Sequence, residues 1–262
     1  MLNTSKKRIE DIIVLKKDIV NTHLYLECKT ASKPKIVPGQ FIELLVENNP
    51  QVFLRRPFSI HDWDEETQKL SLWIKIIGEG TRKLTNLEVG NKINVVYPLG
   101  NGFVLSSNDN VLLIGGGCGA APLLYLSRCL KKVGIIPDIL LGAKDKSDTV
   151  FFDKYRQFGN VHIMTEDGSQ GQKGLVTQHD IIKNNLRSYS QIYVCGPERM
   201  TKAIGKLTLS LNIPCQVSLE NIMACGIGAC LCCVVKTNSG NVCTCTEGPV
   251  FYVTDIEEWI NK

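Results

Sequence analysis

Six of the chain's 11 cysteines, Cys225, Cys230, Cys232, Cys233, Cys243 and Cys245, fall within 21 residues near the C-terminus. A segment so rich in thiol and glycine has little apolar side chain to bury, so it must fold around something that the thiols hold or around disulfides. The opening residues 1–10 place Lys6, Lys7, Arg8 and Glu10 ahead of no apolar run, so no secretory leader is expected. A cytoplasmic setting keeps thiols reduced, and there the cluster reads as a metal site before it reads as a disulfide framework.

The spacing narrows the choice. Cys225, Cys230 and Cys233 stand as C-x4-C-x2-C, with Cys243 or Cys245 available as the fourth thiol, which is the plant-type iron-sulfur opening. Gly226 and Gly228 lie in the first gap, where a loop wrapping a cluster needs φ > 0 to turn its N–H groups toward sulfur. Structural zinc usually pairs two short knuckles, and here only Cys230 and Cys233 form one. Cys232, beside a ligand position, is expected to point away from the cluster as a small buried hydrophobe.

The rest of the chain is ordinary by comparison. At 262 residues it holds two domains and an appendage, and the 44% hydrophobic and 21% charged fractions suit a globular protein. No stretch approaches the roughly 20 apolar residues of a membrane span. The net charge of +4 is spread without a basic block or aromatic ladder, which excludes the electrostatic footprint of nucleic-acid binding.

Up to about residue 103, short β-type runs at 22–27, 40–47, 70–77 and 92–97 are divided by Pro38-Gly39, Gly78, Gly80 and Gly90, predicting a small antiparallel β-barrel. From about residue 110 strands alternate with helices: strands at 111–114, 139–141, 161–165 and 191–195, and helices over 121–132, from Thr177 and from Pro197 at its first position. That rhythm predicts a doubly wound parallel sheet. The expected units are a barrel over 1–105, an α/β domain over 106–216 and a metal lobe over 217–262.

Three motifs carry nucleotide chemistry. Arg55-Arg56-Pro57-Phe58-Ser59-Ile60, expected near the end of a barrel strand, offers a guanidinium for a phosphate and a small hydroxyl for a flavin ring. Trp73-Ile74-Lys75 leads to Gly78-Glu79-Gly80-Thr81, a turn opening a helix and suited to a pyrophosphate. The run Gly115-Gly116-Gly117-Cys118-Gly119-Ala120-Ala121-Pro122 and the later Cys195-Gly196-Pro197 lie at the carboxyl edge of the sheet, where doubly wound folds bind ligands. Four histidines, His23, His61, His162 and His179, have no nucleophile partner in sequence and read as surface or satisfied core residues.

In this order the motifs resemble the ferredoxin-NADP reductase superfamily over about residues 8–215. The closing Leu219-Glu220-Asn221-Ile222-Met223-Ala224-Cys225 through Cys233, then Cys245-Thr246-Glu247-Gly248-Pro249-Val250-Phe251, looks like one branch, the electron-transfer subunits of class 1B dihydroorotate dehydrogenase. The resemblance implies FAD at Arg56, Pro57, Phe58, Ser59, Trp73, Ile74, Lys75, Gly80 and Thr81, with Arg56 anchoring it and Ser59 near the reactive ring. It implies NAD at Gly116, Gly117, Gly119, Cys195 and Gly196, and a 2Fe-2S cluster on Cys225, Cys230, Cys233 and Cys245. It further implies an FMN-containing catalytic subunit as partner, in a heterotetramer of two of each, acting in pyrimidine biosynthesis. Flavin subunits of ferredoxin-dependent NADPH oxidoreductases or sulfide dehydrogenases are similar over most of the chain but tend to carry Asp at the position of Cys225. A metal-stabilised interaction module without redox activity leaves the flavin motifs unexplained.

Overall fold

The computed structural model describes residues 6–47 and 51–260. The first five residues, part of the stretch read for a leader, lie outside the described residues. Strands β1 (Arg8–Val20), β2 (His23–Lys29), β3 (Phe41–Leu44), β4 (Arg56–Asp64) and β5 (Lys69–Lys75), helix α1 (Glu79–Leu84) and strand β6 (Lys92–Leu99) make the first unit. Its strands close into an antiparallel barrel in the order β1-β2-β5-β4-β3-β6. Alternate residues point inward, so Ile12, Val14, Leu24, Leu26, Ile42, Leu44, Leu70 and Leu72 fill the interior. At about 1.5–3 kcal/mol per fully buried large apolar side chain, this core sustains the barrel.

The second unit is built on β7 (Val111–Gly116), α2 (Ala121–Lys132), β8 (Asp138–Ala143), β9 (Asn160–Thr165), β10 (Gln172–Lys173), α3 (Asp180–Asn184), β11 (Gln191–Cys195), α4 (Glu198–Ser210) and β12 (Cys215–Ser218). Period-two alternation divides its sheet between two cores. Leu113, Ile139 and Leu141 pack on Leu123 and Leu126 of α2. Leu112, Ile114 and Leu140 face Ile181 and Ile182 of α3 and Ile204 of α4 on the other side. Beyond it come the hairpin β13 (Val234–Thr237) and β14 (Gly240–Cys243), then β15 (Val250–Tyr252) and α5 (Glu257–Ile260). The large sheet runs β10-β9-β8-β7-β11-β12-β15, all parallel except β15, which returns antiparallel to β12.

Several expectations change. Arg56 opens β4 rather than lying near a strand's end, because the chain enters the barrel there from the loop after β3. The helix expected from Thr177 is a 3₁₀ turn followed by the five residues of α3. Pro197 caps α4 from outside its first turn, its φ of −53° and ψ of 139° being non-helical. Strand β1, 13 residues long, is absent from the sequence reading because its Lys16-Lys17 pair and exposed apolar residues hide the alternation. No helix among the described residues is long and apolar enough to cross a membrane.

Candidate functional site

A cavity of about 300 Å³ opens where the barrel, the α/β sheet and the chain leading to the cysteines meet. The barrel contributes Pro57, Phe58 and Ser59 of β4 and Trp73, Ile74 and Lys75 of β5, six of the residues singled out in sequence. From the sheet's carboxyl edge come Gly119 and Cys195, also expected. Phe41 and Ser218 were not expected there, and Cys118, Ala121, Leu219, Glu220, Asn221, Met223 and Pro249 lie in runs quoted above without being singled out as site residues. The signal was present: the run from Ser218 to Asn221 leaves the end of β12, so on its way to Cys225 it has to cross the edge where ligands of such sheets bind.

Beside the cavity, Arg56 lies over Gly80, where an added Cβ would sit 2.9 Å from its Nε. Its Nη1 donates to Leu54 O at 3.0 Å. Thr81 Oγ1 accepts from the N–H groups of Ile77 and Gly78, both at 3.0 Å. This ties down the turn that faces the guanidinium. Across the sheet edge, a Cβ on Gly119 would fall 2.5 Å from Gly196 Cα, so the two glycines let the β7 and β11 loops touch backbone to backbone. Gly117 takes φ +51° with no atom within 4 Å of its would-be Cβ, leaving open space at the turn. Gly116 packs behind, against Pro197 and Met200, so it shapes the turn without facing the cavity.

The cavity wall is held by a buried polar chain. Trp73 Nε1 donates to His23 Nδ1 at 2.9 Å, His23 Nε2 lies 2.9 Å from Asp148 Oδ1, and Lys75 Nζ donates to both Asp148 oxygens at 2.9 Å. The indole proton occupies Nδ1, so the imidazole carries its own proton on Nε2 and gives it to the carboxylate. Burial lowers the His23 pKa against the pull of Asp148. Burial works to raise the Asp148 carboxyl, but the Lys75 and His23 hydrogen bonds outweigh it and hold it below its usual range. Cys118 Sγ donates to Trp73 O at 3.3 Å, and burial pushes its thiol up to about 12. His61, by contrast, is core without full satisfaction: Nδ1 meets Ala121 O at 2.9 Å while Nε2 has no partner. His162 and His179 are half-buried beside each other, their ring centroids 5.3 Å apart.

The cysteine loop follows directly. Gly226 and Gly228 adopt φ +63° and +84° as their placement predicts, and Leu231 adds a left-handed turn at +58° that no sequence signal marked. The turns aim N–H groups at sulfur: Ala229 and Cys230 donate to Cys225 Sγ at 3.3 and 3.4 Å, and Gly228 donates to Cys245 Sγ at 3.2 Å. Cys225 neighbours Cys230, and Cys233 neighbours Cys245 and Cys243. Among the described residues no three His, Cys, Asp or Glu side chains converge on one point as around a single ion. Several thiols gathered beneath inward N–H groups, in this ligand spacing, fit an iron-sulfur cluster. Hydrogen bonds from the Cys232 backbone and from Cys225 lower the pKa of Cys230, while burial raises those of Cys243 and Cys245. Cys232 corrects its expectation: it is exposed, its thiol directed at Cys230 O. Cys233, Cys243 and Cys245 are buried against Phe41 and Leu99 of the barrel, a contact too small to be a core of its own.

Comparisons with known proteins agree with this geometry. Residues 220–257 match the iron-sulfur cluster binding domain of dihydroorotate dehydrogenase B. The dihydroorotate dehydrogenase B (NAD(+)) electron transfer subunit of Caldanaerobacter subterraneus subsp. tengcongensis is 39% identical over 84% of this chain and 86% of its own. That of Fusobacterium nucleatum is 36% identical over 95% and 96%. Among solved structures, an NADH-dependent reduced ferredoxin-NADP oxidoreductase studied for flavin-based electron bifurcation superposes with a TM-score of 0.83 at 28% identity, covering 94% of this chain and 89% of that one. A ferredoxin NADP+ reductase from Neisseria gonorrhoeae with bound FAD and NADP shares the fold, with a TM-score of 0.64 at 16% identity over 79% and 92%.

Proposed function

The chain belongs to the electron transfer subunits of NAD-linked dihydroorotate dehydrogenase B, and from that premise we propose how its own residues serve electron transfer in pyrimidine biosynthesis. It is an oxidoreductase subunit that uses FAD, a 2Fe-2S cluster and NAD, and it works with a catalytic partner subunit. The partner carries FMN, and two copies of each subunit assemble in the cytoplasm. The units of function are residues 1–105 for FAD, 106–216 for NAD and 217–262 for the cluster.

The observation that carries this reading is the cavity shared by β4, β5, the β7 and β11 turns and the approach to the cysteines. Pro57, Phe58, Ser59 and Trp73 to Lys75 bind the flavin ring, and Arg56 with Gly80 and Thr81 holds its phosphates. Gly117, Gly119, Cys195 and Gly196 admit the nicotinamide nucleotide from the sheet edge, and Gly116 shapes their turn from behind. Cys225, Cys230, Cys233 and Cys245 hold the cluster, and the Gly228 N–H on Cys245 favours that thiol over Cys243. A 2Fe-2S centre moves electrons singly while a flavin collects two and passes hydride, so the shared wall lets one chain convert between the two currencies.

The test is anaerobic purification with the visible spectrum and with iron, acid-labile sulfide and flavin counts. Two irons, two sulfides and one FAD per chain are expected, and co-purification with an FMN-bearing subunit in equal numbers completes the assignment. Folded protein that takes up zinc but neither flavin nor sulfide after reconstitution overturns it.

A further inference from the structure

The barrel meets the cysteine lobe along the outer face of β3. Side chains alternate on that strand, so Ile42 and Leu44 fill the barrel while Phe41 and Glu43 point the other way. Phe41 packs on Cys233, Cys243 and Cys245. Glu43 lies beneath the opposite end of the loop, where a Cβ added to Gly226 would stand 2.7 Å from both its Cδ and its Oε1. Gly226 has φ +63° and no side chain, so the carboxyl can close on the backbone that follows Cys225.

The carboxyl is unusual for such a face. Glu43 is 1% exposed, and among the described residues its buried Oε1 has no hydrogen-bond partner. Its neighbours across the sheet are Pro57 on β4 and Val96 on β6, neither of which has a side-chain donor. Arg55 is engaged elsewhere: its Nη1 donates to Glu43 O at 3.4 Å and to Asn94 O at 3.1 Å, and its Nη2 to Asn94 Oδ1. An ionised carboxylate in this place would lack a donor and stand against the negative charge of cluster thiolates, so the neutral acid is the form that fits. Burial raises its pKa in that direction, against the pull of Arg55. A neutral carboxyl needs an acceptor, and the acceptors this loop is built to hold are sulfurs, already approached by the N–H groups of Gly228, Ala229 and Cys230. We propose that Glu43 sets the reduction potential of the cluster by donating its Oε–H to sulfur on the Cys225 side of the loop. Such a hydrogen bond favours the reduced, more negative state of the cluster and so raises its potential. The barrel thereby governs how readily the lobe packed on it takes up an electron.

This role rests on the cluster reading above, and its test separates the two. The complex with the catalytic subunit is titrated with reductant while the paramagnetic resonance of the reduced cluster is followed. Glu43→Leu is expected to shift the one-electron reduction equilibrium about tenfold toward the oxidised form, about 59 mV. Glu43→Gln keeps an N–H donor and is expected to stay within about twofold of wild type, with iron and sulfide content unchanged in both variants. A second measurement does not depend on the apolar variant folding. Reduced-minus-oxidised infrared spectra of wild type are expected to show the C=O band of a protonated carboxyl shifting on reduction, and Glu43→Gln to lack it. Equal potentials in all three proteins, a raised potential in both variants as loss of a negative charge would give, or no such band in wild type overturns the role of Glu43 while the cluster stands. Wild-type protein that takes up no iron and sulfide overturns the underlying reading instead.

Discussion

The proposed ligands Cys225, Cys230 and Cys233 stand in a spacing written directly in sequence, whereas what favours Cys245 over Cys243 is the loop's N–H on its sulfur, a matter of folded geometry. Cys245→Ser is expected to abolish cluster absorbance and labile sulfide, and Cys243→Ser to keep both, measured on anaerobically purified protein. Histidine roles were less legible still, since a tautomer depends on neighbours brought from elsewhere in the chain. His23 carries its proton on Nε2 because Trp73 occupies Nδ1, and His61 carries its proton on Nδ1 because Ala121 O can only accept. Nitrogen-15 shifts of the two rings are expected to show these opposite tautomers. Burial lowers the His61 pKa to about 3, while the unfolded chain titrates near 6.5. The unfolded chain therefore takes up the proton first, so the stability contributed is full above pH 6.5 and is lost as pH falls toward 3, at about 1.4 kcal/mol per pH unit in that window. Urea midpoints between pH 7 and 5 are expected to fall accordingly, and less steeply in His61→Gln.

Among the elements, the barrel strands and the αβ alternation followed from periodicity and turn residues, and helix 121–132 and strand 191–195 came out with the bounds expected. The failures share a cause: β1 is paired on both sides yet exposes apolar residues, and α3 is too short to show a period. The turn into α1 shows what element geometry adds to the site. Any side chain at Gly80 must displace the Arg56 guanidinium, a flexible group, so the fold tolerates the change while the proposed phosphate contact does not. Gly80→Ala is expected to leave the melting temperature within about 1 °C and to weaken FAD binding about tenfold or more, read by fluorescence titration, since charge-assisted bonds of this kind contribute about 1.5–3 kcal/mol.

At the scale of the whole molecule, the three units meet at the cavity, and the Trp73–His23–Asp148–Lys75 chain ties the first two together by contacts between residues up to 125 positions apart that no local pattern announces. Asp148→Ala leaves the buried His23 Nε2 proton without its acceptor and frees Lys75 to solvent, and is expected to cost about 1–3 kcal/mol, seen as a lower urea midpoint. The cysteine lobe has three thiols and two barrel side chains for a core, so stripping iron is expected to open residues 220–247 to protease while 6–215 stay protected. One further consequence follows from the cavity's composition. Its walls come in the chain order Phe41, Pro57, Trp73, Cys118, Cys195, Glu220 and Pro249, so the chamber closes only once the chain through Pro249 has folded. A nascent barrel can fold first, as N-terminal units do, but it has no closed chamber to offer. Flavin loading thus reports on the assembly of the three units together: a product that stops before Glu220 is expected to lack the closed chamber and to stay colourless.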